Sequence, residues 1–165
     1  MSRNTLNALA ARLGAQLRRR RLKLAAAESC TGGWIAQAVT SVSGSSAWFE
    51  RGFVTYSNEA KREALGVRGA VLSRHGAVSE ETARAMAAGA LARSHAQVAV
   101  AVTGVAGPTG GTRRKPVGMV CVAWARRGAA PESVTFRFHG GRESVRRQSV
   151  IAALEGLLER LGKGA

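Results

Sequence analysis

Cysteine, lysine and acidic residues are all scarce in this chain, and each shortage removes a class of function. Only two of its 165 residues are cysteine, Cys30 and Cys121, far apart and outside any Cys-x-x-Cys pattern. Neither a disulfide framework nor a structural zinc site fits them, and both read as free thiols. The histidines, His75, His95 and His139, lie in different segments without ligand-like spacing, so no metal site is expected. Long apolar runs are missing too: Val98 to Val102 and Val117 to Ala125 fall well short of the roughly 20 residues that cross a bilayer. No membrane partner is expected. Near the N-terminus Leu6, Leu9, Leu13 and Leu17 recur at helical spacing in place of a continuous apolar signal core, which predicts a cytoplasmic protein.

Acidic residues number 10 against 25 lysines and arginines, a formal net charge of +15. Such an excess invites a nucleic-acid reading, because clustered cations release counterions from a phosphate backbone. The densest cluster, Arg18 to Arg21 with Lys23, falls at the end of the first predicted helix. The other arginines are scattered, and no nucleic-acid motif accompanies them. Specific nucleic-acid binding is therefore not expected, whereas nonspecific attraction at low salt follows from charge alone.

What is present fits one globular domain over residues 1–165, with 45% hydrophobic residues to build a core. The leucine stripe predicts an amphipathic first helix, followed by a buried strand over Leu22 to Ala27 that runs into Glu28 and Ser29. A helix is predicted over Thr31 to Val42 and a strand over Ala47 to Tyr56, then a short helix capped by Ser57 and closed by Gly66. Ser79, with Glu80 and Glu81 behind it, starts a helix through about Ser94. Strands follow at Gln97 to Val102, Val117 to Ala125 and Val134 to His139, with a glycine-rich loop from Thr103 to Pro116. An amphipathic helix from Arg142 to Leu161 closes the chain. Helices separate the early strands while the last strands follow one another directly, so the fold class is α/β with a mixed sheet.

Chemistry concentrates first in Glu28-Ser29-Cys30-Thr31-Gly32-Gly33, a strand running into a small-residue turn and a helix. A hydroxyl at such a turn projects from the sheet edge, and free amides at the next helix's start can receive a developing oxyanion. The same residues also read as a simple helix cap, and the segment alone leaves both open. A serine nucleophile needs a base, and no Ser-His-Asp arrangement is visible. Arginine stays protonated, so the four lysines are informative: Lys61 sits at a strand-to-helix junction, Lys115 is a second possibility, and Lys23 and Lys163 lie in basic or terminal stretches. To work near neutral pH a lysine needs its pKa lowered by roughly 3 units, which demands desolvation or nearby cations. The sole tyrosine, Tyr56, is placed to relay a proton or to pack. Cys30 is the rival nucleophile. The loop Thr103-Gly104-Val105-Ala106-Gly107-Pro108-Thr109-Gly110-Gly111 could cradle a phosphate, but it matches neither a Walker A motif nor a dinucleotide fingerprint, so no nucleotide cofactor is expected.

Five segments taken together, Ala27 to Gly33, Gly44 to Phe49, Gly52 to Lys61, Gly76 to Ser79 and Gly104 to Pro108, resemble the CinA C-terminal-domain family in the same order. The likeness continues through Lys115 to Gly118 and the arginine-bearing stretch Gly140 to Arg147; Thr109 and Gly141 depart from the residues common there. It implies a three-layer α/β/α sandwich that self-associates as a homo-oligomer and uses no cofactor and no metal. It also implies hydrolysis of the carboxamide of nicotinamide mononucleotide, giving nicotinate mononucleotide and ammonia. Carried over by position, Ser29 is the nucleophile, Lys61 the base and Tyr56 a supporting hydroxyl. Substrate and oxyanion contacts are then expected from Cys30, Thr31, Gly32, Gly33, Ser45, Asn58, Thr103, Gly104, Gly107 and Arg146, the last as phosphate partner.

Overall fold

The computed structural model describes residues 3–163. Its first helix, α1 (Arg3–Arg20), buries the predicted leucine stripe and ends where Arg21 turns left-handed at φ 57°. Five strands follow in chain order: β1 (Leu24–Glu28), β2 (Phe49–Val54), β3 (Val98–Gly104), β4 (Met119–Arg126) and β5 (Glu132–Arg137). They form one sheet in the order β2-β1-β3-β4-β5. β1 is parallel to both its neighbours, while β3, β4 and β5 run antiparallel in succession. The expected mixed sheet is thus present.

Helices cover both faces. α2 (Trp34–Thr40) and α6 (Arg142–Lys163) join α1 on one side, and α3 (Asn58–Leu65), α4 (Gly69–His75) and α5 (Glu80–Ala92) occupy the other. Strand alternation divides the core accordingly. Leu24, Ala26, Val98, Val100 and Val102 face the first helical layer, and Ala25, Ala27, Ala99 and Ala101 face the second. The alanines let α5 lie close to the sheet. α3 in turn lies against α5 at Gly89, where a Cβ would collide with the Leu65 carbonyl.

The path of the chain positions the site. From β1 it crosses through α2 to β2 at one side, then returns over the opposite face through α3, α4 and α5 to β3 on the other side of β1. The chain therefore reverses direction at the carboxyl end of β1, the place where open α/β sheets leave a crevice for ligands.

Several predicted boundaries move. α2 starts at Trp34, not Thr31, because Gly32 and Gly33 adopt φ of 58° and 101° and hold the chain in a turn outside helical space. β3 runs through Thr103 and Gly104, so both belong to the strand end and not to the loop. α4 went unpredicted: its seven residues bury only Leu72 and carry no apolar periodicity. Among the described residues, no helix is long and apolar enough to cross a membrane.

Candidate active site

Alternation along β1 sends consecutive side chains to opposite faces, and the site follows from that. Ala27 faces α5, Glu28 faces α2, and Ser29 returns to the face that carries α3. Ser29 extends the ladder by one residue, its amide donating to the Val102 carbonyl at 3.0 Å. Across from it, the Thr55 amide donates to the Glu28 carbonyl at 2.8 Å, so the end of β2 is held level with the serine.

Lys61 enters from the first turns of α3. Ser57 caps that helix by accepting from the Ala60 amide at 3.0 Å, and Gly66 ends it at φ 69°. The lysine is 1% exposed. Its Nζ stands 2.9 Å from Ser29 Oγ, 2.8 Å from the Thr55 carbonyl and 3.2 Å from the Tyr56 carbonyl. An ammonium has three N–H donors, and here three acceptors surround it. No carboxylate pairs with it among the described residues. Burial therefore pushes the Lys61 pKa below the ordinary lysine value, against a small opposing pull from Cys30.

The geometry has a direct chemical reading. Carbonyl oxygens only accept, so Thr55 and Tyr56 demand an N–H each whatever the protonation state. In the neutral amine the remaining valence, a lone pair, points at Ser29 Oγ. Lys115, the other lysine considered, donates to the His75 carbonyl instead.

Glu28 escaped the sequence analysis as a working residue. It is wholly buried, and its carboxylate accepts from Thr31 Oγ1 at 2.7 Å, the Ile35 amide at 2.8 Å and the Ala36 amide at 3.1 Å. It therefore caps α2 from the strand, where Gly33 at the helix start has no side chain to do so. The readable signal was an acid ending a strand of otherwise apolar residues. Such a group has to find donors in whatever follows it.

The turn between β1 and α2 is clasped from outside by Arg146. Its Nε donates to the Cys30 carbonyl and its Nη2 to the Thr31 carbonyl, both at 3.0 Å, and the guanidinium lies 5.4 Å from the Trp34 ring centre. In a trans peptide C=O and N–H point in opposite directions. Holding the Cys30 carbonyl toward Arg146 thus turns the Thr31 amide away from it. Among the described residues no main-chain acceptor takes the amides of Cys30, Thr31 or Gly33.

The remaining expected residues separate into those brought together and those not. Cys30 is 6% exposed and packs in the layer opposite Ser29; burial is the main cause that pushes its thiol up to about 12. Tyr56 contributes its carbonyl to Lys61, whereas the residue is 62% exposed and its hydroxyl accepts from Arg142 Nη2 at 3.2 Å. Asn58 opens α3 at the same sheet edge with its side chain exposed. Thr103 is buried at the end of β3 and donates to the Ala77 carbonyl at 2.8 Å. Gly104 packs so tightly on β4 that a Cβ would lie 2.8 Å from the Val120 side chain. Gly107, at φ 84°, accepts from Arg142 Nη1 at 2.8 Å.

One expectation needs correction. Ser45 lies in a 3-10 turn (Ser45–Ala47) after α2, beside the start of β2, and Trp48 of that segment accepts from the Leu24 amide. It is therefore at the opposite end of β1 from Ser29, since α2 carries the chain back along the sheet. Arg146, expected as the phosphate partner, donates from Nε and Nη2 to the turn carbonyls. Among the described residues no three His, Cys, Asp or Glu side chains converge as metal ligands do.

A three-layer α/β fold with a mixed sheet, carrying a buried serine–lysine pair at the carboxyl edge of its parallel strands, defines the class. Comparison with known proteins agrees. Residues 6–161 match the model of the CinA C-terminal domain, and the chain belongs to that family. It is 55% identical over 154 residues to the nicotinamide-nucleotide amidohydrolase PncC of Pseudomonas putida, covering 93% of this chain and 96% of that protein. To the PncC of Escherichia coli strain K12 it is 50% identical over 159 residues, 95% of each. The crystal structure of a competence/damage inducible protein from Agrobacterium tumefaciens superposes with a TM-score of 0.93 at 47% identity, covering 96% of both chains.

Proposed function

We propose that this protein is a nicotinamide-nucleotide amidohydrolase. It hydrolyses the carboxamide of nicotinamide mononucleotide to nicotinate mononucleotide and ammonia. The observation that carries this reading is the buried, carboxylate-free Lys61 amine 2.9 Å from Ser29 Oγ. The activity named for relatives at 50–55% identity supports the choice of substrate.

Neutral Lys61 takes the Ser29 proton as Oγ attacks the carboxamide carbon. The oxyanion that forms is received by turn amides; those of Cys30, Thr31 and Gly33 have no main-chain acceptor among the described residues. Lys61 then returns the proton to the departing nitrogen, and ammonia leaves an ester on Ser29. A water molecule attacks the ester while Lys61 takes its proton and passes it back to Oγ, freeing the acid. Every proton is carried by Lys61, so no step as written calls for a metal ion. Tyr56 supports the lysine through its carbonyl in this scheme, and its phenol faces the mouth of the site.

Ammonia release from nicotinamide mononucleotide tests the proposal. The wild-type protein is expected to turn over, and Ser29→Ala to lose activity by several orders of magnitude while still binding substrate. Turnover retained in Ser29→Ala, or tight binding without turnover by the wild type, overturns it. Self-association and a cytoplasmic location belong to the same reading, and light scattering on the pure protein measures the first.

A further inference from the structure

Three arginines, Arg142, Arg146 and Arg147, project from the first turns of α6 toward the site or its flank. They are not equivalent. Arg146 bonds the carbonyls of Cys30 and Thr31, in the turn that carries Ser29, and is partly buried. Arg147 pairs with Glu143 at 3.3 Å and lies 5.0 Å from the Trp34 ring centre. Arg142 is exposed and, among the described residues, reaches neither that turn nor a carboxylate. Its two hydrogen bonds go to neutral acceptors on opposite sides of the crevice, the Gly107 carbonyl after β3 and the Tyr56 hydroxyl after β2. Among the described residues no carboxylate lies within ion-pairing distance of it.

We infer that Arg142 is the residue that recognises the substrate's phosphate, an inference that rests on the function proposed above. Guanidinium offers five N–H donors in a planar fork, and the two bonds to Gly107 and Tyr56 leave three for a ligand. Those two bonds also hold the fork in place before substrate arrives, so little freedom is lost on binding. The placement suits the substrate. In a nicotinamide nucleotide the ring and ribose separate the carboxamide from the phosphate, so the phosphate grip must stand away from Ser29. Tyr56 spans that gap, with its carbonyl on Lys61 and its hydroxyl on Arg142. The charge is also uncompensated and, unlike buried Lys61, exposed, and so remains available to a dianion from solvent.

The experiment compares kcat/KM for nicotinamide mononucleotide and for the phosphate-free nicotinamide riboside in wild type, Arg142→Gln and Arg142→Lys. The wild type is expected to prefer the nucleotide. Arg142→Gln should lower kcat/KM for the nucleotide by roughly 100-fold, mainly through KM, and leave the riboside value within about 3-fold. Arg142→Lys, which keeps charge but not the fork, should recover only part of the loss. Competitive inhibition by ribose 5-phosphate gives a second measurement that needs no turnover of nucleotide, and Arg142→Gln should weaken it in parallel. Equal losses on nucleotide and riboside, or unchanged inhibition by ribose 5-phosphate, would overturn the assignment. Activity that survives Ser29→Ala would instead remove the proposed function beneath it.

Discussion

Lys61 Nζ and Ser29 Oγ lie 2.9 Å apart although 32 positions separate the two residues in sequence. One reaches the contact from the sheet edge and the other from a helix on the covering layer. The lysine brings no counter-charge with it. That combination of contact, burial and missing acid is what distinguishes a proton acceptor from a structural ion pair.

Replacing Lys61 by methionine keeps the volume of the buried stem and removes the base. Turnover of nicotinamide mononucleotide should fall on the order of 10³-fold or more, with Lys61→Arg no better because arginine stays protonated. Thermal unfolding should show Lys61→Met at least as stable as the wild type, since a buried amine is replaced by an apolar group. A marked loss of melting temperature alongside the loss of activity would point to a purely structural lysine.

The lowered pKa of Lys61 fixes the sign of two pH dependences. In the proposed mechanism the neutral amine is the base, so kcat/KM should rise as pH climbs through the Lys61 value, which burial holds below 10.5. In the unfolded chain the lysine keeps its proton to higher pH than in the fold. Between those two values the unfolded state binds more protons, so this group's contribution to stability increases with pH. Below the folded-state value its penalty is fully present. Urea titrations across that range should show a slope that Lys61→Met removes.

Cys30 adjoins the nucleophile but faces the other layer, with its thiol pushed up to about 12 by burial. Cys30→Ala should keep turnover within about 3-fold of the wild type, and the native protein should resist thiol alkylation at neutral pH. Rapid inactivation by an alkylating reagent, with adduct on Cys30, would contradict this.

Glu28→Gln replaces one acceptor oxygen by a donor facing the amides and hydroxyl that now point at the carboxylate. A destabilisation of about 2–3 kcal/mol is expected from the broken charge-assisted bonds. Activity should fall as well, because the turn proposed to receive the oxyanion hangs from this anchor. Denaturant unfolding measured alongside kcat would show both effects or refute the role.

Arg146→Met should lower kcat by roughly 10- to 100-fold and leave KM for the nucleotide nearly unchanged, because the residue holds the turn carbonyls and the phosphate grip is assigned to Arg142. A KM effect equal to that of Arg142→Gln would reverse the roles assigned to the two arginines.

Much of this was readable before any coordinates. The short helix from Asn58 to Leu65 lies where Ser57 and Gly66 marked it, since cap chemistry is local. The leucine stripe of α1 and the apolar face of α6 were equally legible from their period. The start of α2 was not, because Gly32 and Gly33 permit either a helical or a left-handed backbone and only the clasp from Glu28 and Arg146 selects the turn. Ser45 was misplaced because proximity in a motif string says nothing about which end of a strand a segment returns to.

The sequence by itself determined the kinds of groups available. With arginine permanently charged and histidine scattered, it left a lysine as the candidate base for Ser29, and its local signals defined most elements. Tertiary structure decided which groups meet. Strand alternation put Ser29 on the face with Lys61 and Glu28 on the other, and the burial that lowers the lysine's pKa exists only once α3 closes over the sheet edge. The division among Arg142, Arg146 and Arg147 was likewise invisible in a run of helix residues. The partners of Arg142 and Arg146 come from loops after three different strands, and only the folded chain brings those loops to one crevice.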